Sequence, residues 1–118
     1  MNPTNLQECI DFLTLSIPKE DYAKYKEMSL DDFTSMCHFS LGLSIRNNWN
    51  LWDKTSNLHK YFNEIGIHHP DDMSSIITAS FWAKVTGAEY DLKKDIEHYQ
   101  EYWKVMNERY AKMKLVLL

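Results

Sequence analysis

The stretch Ile45-Arg46-Asn47-Asn48-Trp49-Asn50-Leu51-Trp52 sets one guanidinium, three amides and two indoles within eight residues. Such a set suits recognition of a carboxylate, a phosphate or a peptide, because a guanidinium donates in a fixed fork and indoles supply flat apolar area. The same residues can serve a fold instead. A buried Arg46 paired with an acid, with Asn side chains on helix-end carbonyls and Trp49 and Trp52 in the core, needs no ligand. The second constellation is His68-His69-Pro70-Asp71-Asp72, two imidazoles and two carboxylates in five residues. A metal site or a general acid–base pair would use these groups. Their spacing argues against it, since two His ligands on one helix face need three or four residues between them. Pro70, Asp71 and Asp72 read instead as a helix start, with Asp72 reaching back to the His69 amide. A pocket built from Arg46, Asn47, Trp49, Trp52, His69, Asp71 and Asp72 is the alternative, a small-ligand binder or metal-dependent hydrolase. It requires the end of one helix and the start of another to converge on a concave site.

No other motif carries a reaction. His38, His59 and His98 are isolated, and no His-Asp dipeptide of the metal-dependent helical phosphohydrolases occurs. His69-Pro70-Asp71 spells the tripeptide of J-domain co-chaperones, but that family has a strongly basic helix before it. Here the preceding helix holds Lys60 as its only basic residue. No cofactor is implied. The leading expectation is therefore a non-enzymatic protein-binding module, such as an immunity protein or antitoxin. Its acidic face of Asp21, Glu27, Asp31 and Asp32 would cover a basic toxin, steering association and occluding substrate. The first 32 residues carry seven acids against three lysines. A solvated helix face is the commoner reason for such charges.

The elements that must position these residues are helical. Leu6, Cys9, Ile10 and Leu13 follow a helix over 5–16, capped by Thr4 or Asn5 and ended by Pro18. A short helix covers 19–27. Ser29 and Asp32 form a capping-box pattern for a long helix, with Phe33, Met36, Cys37, Leu41, Ile45, Trp49 and Trp52 on one face and Phe39 and Leu43 on a second buried face. Gly42 within it implies a close helix crossing or room beside Arg46. Leu58, Tyr61, Phe62 and Ile65 mark the next helix, ended by Gly66. Pro70 opens one through Met73, Ile76, Ile77, Phe81 and Val85, ended by Gly87. Leu92, Tyr99, Met106 and Met113 repeat every seven residues, interleaved with Ile96, Trp103, Tyr110 and Leu117. This is a heptad seam, and its aromatic residues favour packing along the body over a two-stranded zipper; an oligomer through this helix is the alternative.

The pattern predicts an all-α fold, a single bundle of five or six helices spanning 1–118 with a long C-terminal helix over 91–115. A 118-residue chain with 44% hydrophobic residues can bury a core without disulfides or a structural metal. Three Gly and three Pro are too few for the turns of a β-sandwich or barrel. A net charge of −4 excludes a broad nucleic-acid-binding face. No leader pattern and no run of 18 apolar residues occurs, so a soluble cytoplasmic protein away from membranes is expected. Cys9 and Cys37 lie in apolar helical patterns and read as small buried hydrophobes.

The blocks IRNNWNLW at 45–52, SNLHKYF at 56–62 and GIHHPDDMSSII at 66–77 together resemble a family of small bacterial helical domains of unknown function. The resemblance spans about residues 29–87. It implies a bacterial, helical, non-secreted protein and carries over no catalytic residues.

Overall fold

Helix follows wherever apolar residues recur at three- and four-residue spacing, and each segment stops at a residue that cannot continue it. In the computed structural model, which describes residues 2–117, the elements are α1 (Leu6–Ser16), a 3-10 turn (Lys19–Asp21), α2 (Tyr22–Lys26), α3 (Leu30–His38), α4 (Leu41–Asn48), α5 (Asn57–Glu64), α6 (Pro70–Thr86) and α7 (Leu92–Leu117). The class is all-α, with seven α-helices rather than five or six among the described residues.

Asn5, Ser29 and Ser56 accept at their side-chain oxygens from the backbone N–H three residues on, capping α1, α3 and α5. Gly66 and Gly87 adopt φ of +93° and +74°, the left-handed geometry that ends a helix. The long helix predicted after Ser29 is broken into α3 and α4. Phe39 (φ −96°, ψ 4°) and Ser40 (φ −118°, ψ −97°) leave helical geometry, so α4 starts in a new direction. The break resets the apolar register. Phe39 and Leu43, expected on a second buried face, are 81% and 44% exposed, and Met36 is half-exposed. Trp49 remains in the core, whereas Trp52 lies beyond the helix and faces solvent.

α6 is the axis of the body, touched by α1, α2, α3, α4 and α7. It is buried nearly all round because Ser74, Thr78, Ala79 and Ser80 alternate with Met73, Ile76, Ile77 and Phe81. Small side chains let neighbours approach, and the hydroxyls of Ser74 and Thr78 return to carbonyls of their own helix. Against it stand Leu6, Cys9, Leu13, Phe33, Cys37, Leu58 and Phe62. Burial pushes the Cys9 and Cys37 thiols up to about 12 and about 11, so neither is a nucleophile.

α7 departs from the expectation of packing along the body. It is 26 residues long, about 39 Å at helical rise, in a molecule 56 × 31 × 24 Å. Asp91 caps its start, and the Tyr90 hydroxyl donates to the Asp95 carboxylate. Leu92, Ile96 and Tyr99 pack on the core. Beyond Trp103 the heptad seam runs on uncovered, with Tyr110, Met113 and Leu117 at 68%, 62% and 83% exposure. None of the described helices is long and apolar enough to cross a membrane.

Candidate functional site: the α4–α6–α7 junction

Arg46, on the inner face of α4, is 3% exposed. Its Nη1 donates to Ser74 Oγ at 2.7 Å and its Nη2 donates to the His38 carbonyl at 2.7 Å. Nε lies 3.5 Å from Asp71 Oδ1, a looser contact with a half-hydrated carboxylate. Ser74 passes the link on by donating to the Asp71 carbonyl at 3.0 Å. One guanidinium therefore ties the end of α3, the body of α4 and the first turn of α6. Gly42 makes the room: a Cβ there would stand 3.1 Å from Arg46 Nη1 and 2.9 Å from the Cys37 carbonyl oxygen.

At the mouth of this knot, His69 caps α6. Its Nδ1 accepts from the Asp71 N–H at 3.0 Å, so the ring proton sits on Nε2. The same nitrogen is 3.8 Å from Asp71 Oδ2, but its lone pair is already used by the amide. Asp72 does not reach the His69 amide as the sequence predicts. The cap is made by His69 itself, and Asp72 Oδ2 instead accepts from Trp103 Nε1 of α7 at 2.7 Å. Burial raises the Asp72 carboxyl above its ordinary value, and the indole N–H pulls partly the other way. Trp103 also stacks on the His69 ring, with centroids 5.2 Å apart and planes at 11°, while Trp52 meets that ring edge-on at 6.0 Å.

Two clefts flank Trp103. The larger, about 590 Å³, runs between the Gly66–His69 turn and Gln100, Lys104 and Asn107 of α7; the smaller, about 390 Å³, has Asp71, His98 and Tyr102 on its walls. His69 and Asp72 border both. Neither is lined by Arg46, Asn47, Trp49 or Trp52. Of the seven candidate pocket residues, the structure brings together Arg46, Trp52, His69, Asp71 and Asp72. It sends Trp49 into the core beside Phe12 and leaves Asn47 on the surface. His59, buried, is spent on the Leu51 carbonyl at 2.7 Å. Among the described residues no group of three His, Cys, Asp or Glu side chains is placed to hold a metal ion, and no buried side-chain nitrogen or oxygen lacks a partner.

Sequence reasoning missed Ser74 and the bond from Trp103 to Asp72, and of Gly66 it foresaw the helix end but not the seat for α7. Trp103 carried a signal, since a seam indole must find an acceptor for its N–H. Ser74 carried none. At Gly66 a Cβ would fall 2.2 Å from Gln100 Nε2, so the glycine both ends α5 and seats α7.

The acidic residues lie on consecutive elements away from this junction. Asp21 closes the 3-10 turn, 4.0 Å from Lys24 Nζ, Glu27 ends α2, and Asp31 and Asp32 form the first turn of α3. Glu27, Asp31 and Asp32 are exposed.

Residues 2–85 match the family described as a domain of unknown function, DUF6794. The chain belongs to that family. The match extends N-terminal of the resemblance read from residues 29–87, so α1 and α2 are part of the DUF6794 unit, as their packing on α6 requires. It ends within α6, before the turn that leads to α7. No curated protein and no solved structure is similar to this DUF6794 chain.

Proposed function

We propose that this chain is a non-enzymatic protein-binding module. The observation that carries the proposal is the unequal use of its side chains. The polar groups at the α4–α6–α7 junction are bonded to one another, whereas Tyr110, Met113 and Leu117 stand in a row with nothing over them. Rows of large exposed apolar residues mark interfaces.

The narrower reading is an immunity protein or antitoxin, with Asp21, Glu27, Asp31 and Asp32 as the face that meets a basic partner. Asp31 and Asp32 also favour the positive end of α3, so local structure accounts for part of them. Glu27 has no such role. It closes α2 at the end where the helix dipole disfavours an anion.

The test is affinity capture by the tagged full chain from its host at two salt concentrations. A stoichiometric partner that dissociates at high salt is expected. Asp31→Lys with Asp32→Lys should weaken it at least tenfold and flatten its salt dependence, with the fold unchanged. A chain recovered alone at both salt concentrations overturns the reading.

A further inference from the structure

We propose that the outer half of α7, Met106 to Leu117, pairs antiparallel with the same segment of a second copy of this chain. The proposal rests on the protein-binding reading and names the occupant of the exposed seam.

Three observations select this occupant. The first is continuity: Leu92, Ile96 and Tyr99 of the heptad row already pack on the body, and Trp103, Met106, Tyr110, Met113 and Leu117 continue the row into solvent at 36–83% exposure. An uncovered helix of this length is marginal alone, but α7 arrives already nucleated by its docked turns. The second is size. Met106, Tyr110, Met113 and Leu117, the row residues inside the paired segment, together expose about 500 Å² per copy, so pairing would remove up to about 1,000 Å² in all, the size from which a specific interface is argued.

The third observation is register, which also sets the direction. In a parallel pair each layer meets its own kind, so Tyr110 would oppose the partner's Tyr110. Arg109 would also face the partner's Lys114 across the flank, a like-charge contact made twice. Antiparallel pairing about Ala111–Lys112 removes both conflicts. Tyr110 then opposes the partner's Met113, a thioether against a ring, and Met106 opposes the partner's Leu117. Arg109 lies beside the partner's Val116, and Asn107 beside the partner's Lys114. The objection that aromatic layers disfavour a two-stranded zipper applies to the parallel arrangement, where the rings coincide. The acidic elements α2 and α3 pack on α6, so two copies would offer two acidic faces.

Light scattering on the full chain across a micromolar to high-micromolar series should show a mass rising from 14.0 kDa toward twice that value. Tyr110→Glu with Met113→Glu should hold it at the monomer mass, with helical content and thermal midpoint unchanged. Direction is read by oxidation. Met106→Cys together with Leu117→Cys should cross-link two copies, whereas Met106→Cys alone should not, the buried Cys9 and Cys37 taking no part. A monomer at every concentration overturns the proposal. So does a two-copy mass that survives the double Glu variant, or cross-linking by Met106→Cys alone. A monomer that still captures its host partner leaves the module reading standing, and a pair that captures nothing leaves only the pairing.

Discussion

Arg46 and Tyr110 are both large residues on helices, one 3% and the other 68% exposed, and they mark two regions built on opposite terms. Around Arg46 both terminal guanidinium nitrogens donate inside the chain and the third faces a carboxylate, and the family match ends within the same body. Around Tyr110 the helix offers a regular row and receives nothing. A guanidinium taken from water is stable only where several partners hold it, whereas an apolar side chain left in water is merely unfavourable and can await a partner. The first region should therefore fail by unfolding, the second by losing association.

The largest effect should follow from Arg46→Ala. It leaves the Ser74 hydroxyl and the His38 carbonyl without their donor and opens a void beside Gly42, at a cost on the order of 3–5 kcal/mol. Urea unfolding measures this. A second readout is alkylation of Cys9 and Cys37, which are buried and protonated in the native state and should react much faster once the body opens. A change below about 1 kcal/mol would show that the knot does not hold α3, α4 and α6 together.

Gly42→Ala should come next. The added methyl meets a backbone carbonyl oxygen at 2.9 Å, which cannot step aside, and the guanidinium at 3.1 Å, which can. Overpacking of this kind costs about 1–3 kcal/mol, offset by roughly 1 kcal/mol of helix propensity, so a net loss is expected. Combined with Arg46→Ala the loss should be less than additive, because one of the two obstacles has gone. Strict additivity would mean that Gly42 is there for the Cys37 carbonyl alone.

What was legible in the sequence divides along the same line. Periodicity and caps located the helices around Leu6–Leu13, Leu58–Ile65 and Met73–Val85, because burial and helical geometry impose the same spacing. The pairing of Arg46 with an acid, and the reason for Gly42, could also be foreseen. The break at Phe39–Ser40 could not, since apolar residues on both sides of it fit one continuous period and the nearby Gly42 is equally explained by a close helix crossing. Nor could the end of docking along α7. The row from Leu92 to Leu117 is uniform, and where the body stops beneath it depends on the tertiary placement of Gly66 and α6. The partnership of Asp72 with Trp103 spans 31 residues and has no local signature.

Trp103 stands on the boundary between the two regions, and the smallest effect tests whether it belongs to the body. The Asp72 carboxyl is raised by burial and partly lowered again by the indole N–H. A raised folded value means that the native state binds a proton where the unfolded chain has released it. Stability from this group is therefore full in acid and falls as the pH climbs from the ordinary carboxylate value through the folded one, then levels off. Asp72→Asn keeps an acceptor for the indole and should abolish that fall. Trp103→Phe keeps a ring on His69 but removes the N–H, so the Asp72 carboxyl should titrate at higher pH than in the wild type and the fall should extend with it. Carbon-detected NMR of the Asp72 carboxyl follows this directly, with Tyr110→Phe as the comparison that should leave it unmoved. An identical Asp72 titration in Trp103→Phe would place Trp103 with the free half of α7, and the docked part of the helix would end at Tyr99.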